Sequence, residues 1–138
     1  MLSPSRTDAS RQFLEWLDRM DGAGRIFLSA VTIHEIEKGI ARLEHKGSAA
    51  KAATLRSWLS GLVAIYDDKI LRLDAAAAVL SGQLEAKAIS AGHGPGMADA
   101  MIAGIARAHD LVIVTRNLRH FLLFGVDVAL PEEAAGSA

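Results

Sequence analysis

In Leu111-Val-Ile-Val-Thr-Arg-Asn117, four apolar residues run without a break and then give way to a hydroxyl, a guanidinium and an amide. The run is too short for a helix and rich in β-branched side chains, so it reads as a strand buried on both faces. Such strands belong to parallel sheets covered by helices. The surrounding pattern agrees. Upstream, a helix is predicted from near Met97 to about His109, and downstream Val126-Asp-Val-Ala129 reads as a last strand. Farther back, Ala75 to Ala91 is helical by propensity, and Gly92-His-Gly-Pro-Gly96 separates it from the next helix. Lys69-Ile-Leu-Arg-Leu73 and Arg25-Ile-Phe-Leu28 are short strand candidates. Between them, a helix opening at Thr32 carries the stripe Ile33, Ile36, Ile40, Leu43, and one over about residues 48–65 carries Leu55, Leu59 and Leu62. Asp8 to Met20 reads as a first amphipathic helix ended by Gly22 and Gly24, and about residues 131–138 read as a frayed tail. Strands alternating with helices predict an α/β fold: one domain over residues 1–138, with a central parallel sheet flanked by helices in three layers.

Composition narrows the classes of function. Hydrophobic residues make up 51% of the chain and charged residues 22%, which excludes a disordered polymer. No apolar run approaches the roughly 20 residues of a membrane span, and no signal-like stretch opens the sequence. With no cysteine there is no disulfide or thiolate metal site, so a cytoplasmic protein without membrane partners is expected. A net charge of −1 argues against a DNA-binding protein held by its own cations. It permits an enzyme that holds RNA through bound metal ions.

Chemistry in such sheets gathers at the carboxyl ends of the strands, here after Leu28, Leu73 and Val114. Three segments compete for it. Glu35 lies about one turn into the helix after the first strand, but Thr32-x-x-Glu35 equally matches a capping box. Asp99 is an acid at the start of a small-residue helix, flanked by Ala98, Ala100, Ala103 and Gly104. Close packing there would bury its carboxylate and call for a cation, whereas a first-turn aspartate also complements the helix dipole. Thr115, Arg116 and Asn117 suit phosphate handling, or local turn hydrogen bonds. The five histidines show no i, i+4 pair for zinc, no Gly-x-Ser-x-Gly elbow is present, and no lysine follows Gly92, Gly94 and Gly96 as a phosphate loop requires.

Taken in order, Leu28-Ser-Ala-Val-Thr-Ile-His-Glu-Ile-Glu-Lys-Gly39, Ala98-Asp-Ala-Met-Ile-Ala103 and Leu111-Val-Ile-Val-Thr-Arg-Asn-Leu-Arg-His-Phe121 resemble the PIN-domain toxins of VapBC-type toxin–antitoxin modules, most of all the FitB-like branch. The likeness runs from Leu2 to about Leu130, and Gly125-Val-Asp-Val suits the last strand. It implies a Mg²⁺- or Mn²⁺-dependent endoribonuclease, dimeric and restrained by a cognate antitoxin, that cuts RNA phosphodiesters with a metal-activated water. Glu35 and Asp99 fall on two metal-binding acids, with Thr115, Arg116 and Asn117 supporting the scissile phosphate. An inactive PIN domain kept as an antitoxin-binding or dimerisation module is the alternative.

Two departures stand out. The resemblance implies a first strand, central in the sheet and ending in Asp-Thr-Asn, that would precede Met1-Leu-Ser3. The first strand and its aspartate are therefore expected to be missing from residues 1–138, with neighbouring strand edges left open and little ribonuclease activity. His120 stands where many members carry an acid before the phenylalanine, and Asn117 stands where other branches carry one.

Overall fold

Residues 15–136 are described by a computed structural model. Helix α1 covers residues 15–22, so the expected start at Asp8 lies outside the described residues. There follow β1 (Leu28–Ser29), α2 (Ala30–His45), α3 (Ala49–Tyr66), a 3₁₀ turn (Asp67–Lys69), β2 (Ile70–Leu71), α4 (Ala75–Ser90), α5 (Met97–Ala108), β3 (Ile113–Val114), α6 (Leu118–Leu122), β4 (Val128–Ala129) and α7 (Pro131–Gly136).

The strands are parallel, as the unbroken apolar runs imply, but they form two separate pairs. Leu28 pairs with Ile70 and Ser29 with Leu71; Ile113 pairs with Val128 and Val114 with Ala129. Among the described residues no strand joins β1 to β3. All eight strand residues are only half-buried, unusual for a parallel sheet between helical layers. The expected strands at 25–28 and 69–73 are both shorter, and the first is shifted to Leu28–Ser29, because each ladder extends only as far as a two-residue partner allows.

The core lies among the helices. Val31, Ala77 and Ile105 form one apolar cluster; Leu84, Ala88, Ala100, Ala103, Phe121, Phe124 and Val126 form another. Ile102 of α5 packs against both, so α5 is the shared spine behind the two strand pairs. Complete burial of Ile105 contributes about 1.5–3 kcal/mol. A third cluster, Ile40, Ala52 and Leu59, closes α2 on α3 through the stripes read from sequence.

Small residues let α5 approach α4. A Cβ placed on Gly104 would lie 2.7 Å from the Ala77 carbonyl oxygen and 2.8 Å from the Ser81 Cβ. Gly92, at φ +89, ends α4 in a Schellman turn: its amide donates to Ile89 and the His93 amide to Ala88.

Four boundaries correct the sequence reading. Helix α1 continues through Gly22. Helix α2 begins at Ala30, because Ser29 and not Thr32 is its cap: the Ser29 hydroxyl accepts from the Thr32 amide at 3.1 Å. Helix α6 was not expected and is fastened by buried Phe121. The tail is helical through residue 136, with Pro131 in the first turn and Glu133 accepting from the Leu130 amide at 2.8 Å.

Candidate functional site

Glu35 sits in the second turn of α2 and cannot cap it, since the Thr32 amide is already bonded to Ser29. Its carboxylate pairs instead with Lys38, one turn on, at 2.9 Å. The hydrogen bond from Lys38 holds the Glu35 pKa below the ordinary glutamate value. Alternation of acid and base along one helix ridge is the local cause of that pairing.

Asp99 is the third residue of α5, on the turn after Gly96. The small residues behind it draw α5 into the core and take its carboxylate part-way with it, to 31% side-chain exposure. Burial is the main influence on this carboxyl and lifts its pKa above the ordinary aspartate value. The His120 imidazole opposes that rise, and the negative charge of Glu35 adds to it. Glu35 and Asp99, distant in sequence, therefore share one electrostatic neighbourhood. His120 Nδ1 faces Asp99 Oδ2 at 3.6 Å, brought there by α6 packing beside α5. Of the two candidates for the acid's place, His120 and Asn117, it is His120 that lies against Asp99.

The polar turn after β3 divides. Thr115 continues the ladder, its amide donating to the Ala129 carbonyl, and its hydroxyl accepts from the Asn117 amide at 3.0 Å. Asn117 begins α6, and its carbonyl accepts from the His120 amide at 3.0 Å. Arg116 turns to α7, where Nη1 meets Glu132 Oε1 at 2.6 Å. Thr115 and Asn117 thus shape the loop that presents His120, while Arg116 is tied to the C-terminal helix. Two partners escaped the sequence reading. Lys38 was signalled only by its i, i+3 spacing from Glu35, and Glu132 by nothing local.

The charge of Glu35 thus adds to the cost of ionising Asp99. Mg²⁺ is commonly held by one or two carboxylates together with waters and substrate phosphate, and Glu35 with Asp99 fits that mode. Among the described residues no group of three or more His, Cys, Asp or Glu is arranged to hold a metal by itself. After β2 the polar residue is structural: Asp74 caps α4, accepting from the Ala77 amide at 2.9 Å. No described helix is long and apolar enough to cross a membrane.

The PIN domain family model matches residues 2–123. The chain is 29% identical over 128 residues to Toxin FitB of Neisseria gonorrhoeae, covering 92% of this chain and 88% of the toxin. To the tRNA(fMet)-specific endonuclease VapC of Shigella flexneri it is 35% identical over 100 residues, covering 71% of this chain and 68% of the relative. The crystal structure of FitAcB from Neisseria gonorrhoeae superposes with a TM-score of 0.72 at 27% identity, over 88% of this chain and 85% of that one.

Proposed function

This chain belongs to the PIN-domain family, and from that premise we propose that it is the ribonuclease toxin of a toxin–antitoxin module, dependent on Mg²⁺ or Mn²⁺. The observation that carries the reading is electrostatic: the negative charge of Glu35, on α2, adds to the burial that lifts the pKa of Asp99, on α5, so the two acids are near enough for one to sense the other. Glu35 and Asp99 are the residues that would hold the cation. When bound, such a cation supplies a water of lowered pKa and positive charge for the phosphoryl oxygens.

The remaining work falls to the protein's side chains. The pair keeps its position because Ser29 fixes the start of α2 and small residues fix the depth of α5. Lys38 leaves Glu35 partly neutralised before the cation arrives. Thr115 and Asn117 set the loop at the carboxyl end of β3, where an RNA phosphate would lie, and Arg116 offers it a guanidinium from the same loop. Hydrolysis breaks one phosphorus–oxygen bond: water adds at phosphorus and a ribose hydroxyl departs with a proton.

The partners proposed with this activity are an RNA substrate, a second copy of the chain and a cognate antitoxin. They rest on a relative that is a tRNA endonuclease, one that is a toxin, and the FitAcB structure. A homodimer would scatter light as twice 14.6 kDa.

One observation favours a second reading, a PIN domain kept as a binding module: among the described residues no third acid joins the pair. A single assay separates them. Purified chain is incubated with RNA in millimolar Mg²⁺ or Mn²⁺, beside Glu35→Gln and Asp99→Asn. The nuclease reading expects weak cleavage that chelator abolishes and that either substitution lowers by a factor of about 10² or more. Cleavage undiminished in Asp99→Asn would refute the site. Folded protein that neither cuts RNA nor binds Mg²⁺ or Mn²⁺ would favour the binding module instead.

A further inference from the structure

The homodimer proposed for this chain needs a surface, and α3 supplies one. Leu55, Leu59 and Leu62 turn one side of α3 toward α2. About 110° round the helix from those leucines runs a second stripe, Thr54, Trp58, Gly61 and Ile65, at spacings of four, three and four. All four residues are exposed, Trp58 by 53% and Ile65 by 76%. A helix can carry two neighbours at such an angle, as in a four-helix bundle. Tryptophan is also enriched among the residues that dominate protein interfaces.

The stripe is complementary to itself when reversed. With α3 of a second copy laid antiparallel on it, Trp58 faces Gly61 and Thr54 faces Ile65, so the large side chain meets the small one at every level. A parallel copy would instead set tryptophan on tryptophan. The space over Gly61 is open within the chain, since a Cβ there would meet nothing within 4 Å. The Thr54 hydroxyl donates to the Ala50 carbonyl at 3.2 Å, so its polar atom is satisfied before any partner arrives.

Charge points to the same arrangement. Lys51 lies in the first turn of α3, and Asp67 and Asp68 directly follow its last turn. Each sits at the end of the helix dipole that disfavours its sign. Among the described residues none of the three forms an ion pair, whereas Arg56, the other cation of α3, is spent on Glu37 and Glu44. An antiparallel copy brings the acids to the positive end of α3 and the lysine to the negative end. In that register Lys51 continues the stripe and falls opposite Asp68.

We propose that α3 is the face on which two copies of this chain dimerise, antiparallel, with Trp58 of each seated over Gly61 of the other. The inference rests on the homodimer already proposed and uses no residue of the cation pair.

Sedimentation of the full chain at up to tens of micromolar is the test, with circular dichroism melts alongside. The parent is compared with Gly61→Trp, Ile65→Glu, and the exchange of Trp58→Gly with Gly61→Trp. The two single substitutions fall on exposed helix positions, which favours retention of the fold. The parent should sediment as twice 14.6 kDa. Gly61→Trp fills the space that the other copy's Trp58 needs, and Ile65→Glu places a charge in the contact, so each should raise the dissociation constant by about tenfold or more. The exchange keeps the composition of α3 and again sets one tryptophan against one glycine, so it should recover most of that loss. A parent that stays monomeric would overturn the homodimer and this surface together, leaving the stripe to a different partner. A parent dimer undiminished in both single variants would overturn the surface alone. Loss in the single variants without recovery in the folded exchange would overturn the antiparallel register, and the proposal with it.

Discussion

Replacing Gly104 by alanine tests whether the packing of α5 on α4 sets the depth of Asp99. The added Cβ would lie 2.7 Å from the Ala77 carbonyl oxygen and 2.8 Å from both the amide nitrogen and the Cβ of Ser81. Ordinary carbon–oxygen contacts are roughly 3.3–3.6 Å, so α5 must retreat from α4 by roughly 0.6–0.9 Å. None of the three obstructing atoms is the tip of a flexible side chain, which places the strain in the upper half of the about 1–3 kcal/mol typical of overpacking. Alanine returns about 1 kcal/mol through its helix propensity. The net loss is about 1–2 kcal/mol, a fall of about 3–8 °C in melting temperature for a chain of this size. Gly82→Ala, on α4 with nothing within 4 Å of the added Cβ, supplies the control and should raise the melting temperature by a few degrees. Thermal melts of the two variants beside the parent decide the matter. Should Gly104→Ala melt at or above the parent, the close approach does not exist and Asp99 is not positioned by it.

Two further outcomes follow from the site and its cap. Asp99→Asn should stabilise the metal-free protein by a few tenths of a kcal/mol, because burial and the Glu35 charge hold the Asp99 pKa above its unfolded value. The folded state then binds the proton more tightly, so the penalty is full above the folded pKa and disappears as pH falls through it. Melts in chelator across acidic to neutral pH should bring the two proteins together at the acid end, and a constant gap would contradict the cause given. Ser29→Ala removes the oxygen that accepts from the Thr32 amide and should cost about 1 kcal/mol, or about 3–5 °C. An unshifted melting temperature would mean that another group caps α2.

Legibility in the sequence followed the range of the interaction concerned. Helices α3, α4 and α5 stood within a residue or two of their predicted limits, since apolar periodicity and the Gly92–Gly96 break are local signals. Strand positions were readable from β-branched runs, but their lengths were not, because a ladder is a property of two segments and each partner offered two residues. The Thr32-x-x-Glu35 box misled for a physical reason. Serine outranks threonine as a cap, and Ser29 stood three residues upstream of Thr32, bonding its amide and thereby releasing Glu35. Asp99 was conspicuous as an acid among alanines, yet its relation to Glu35 and His120 depends on the packing of α5 against α2 and α6. The tie from Arg116 to Glu132 had no sequence signature, since it joins the end of a strand to a helix expected to be frayed.

The pairings around the site share one electrostatic logic. Glu35 carries Lys38, Asp99 faces an imidazole, and Arg116 is matched by Glu132, so each of these three charges has a protein partner of opposite character. These partners are exposed or half-exposed, and exposed ion pairs contribute little to stability. Under the proposed function, that weakness would suit a site that has to exchange them. A cation would take the Lys38 position on Glu35 without leaving the ammonium buried, and a phosphate would take the Glu132 position on Arg116 at similarly small cost. The fixed part of the arrangement is the backbone behind it, Ser29 at the start of α2 and Gly104 within α5. Stability and chemistry are thereby assigned to different residues: substitutions at the cap and the helix contact should move the melting temperature, and substitutions of the paired charges should move ion and RNA binding while leaving the fold in place.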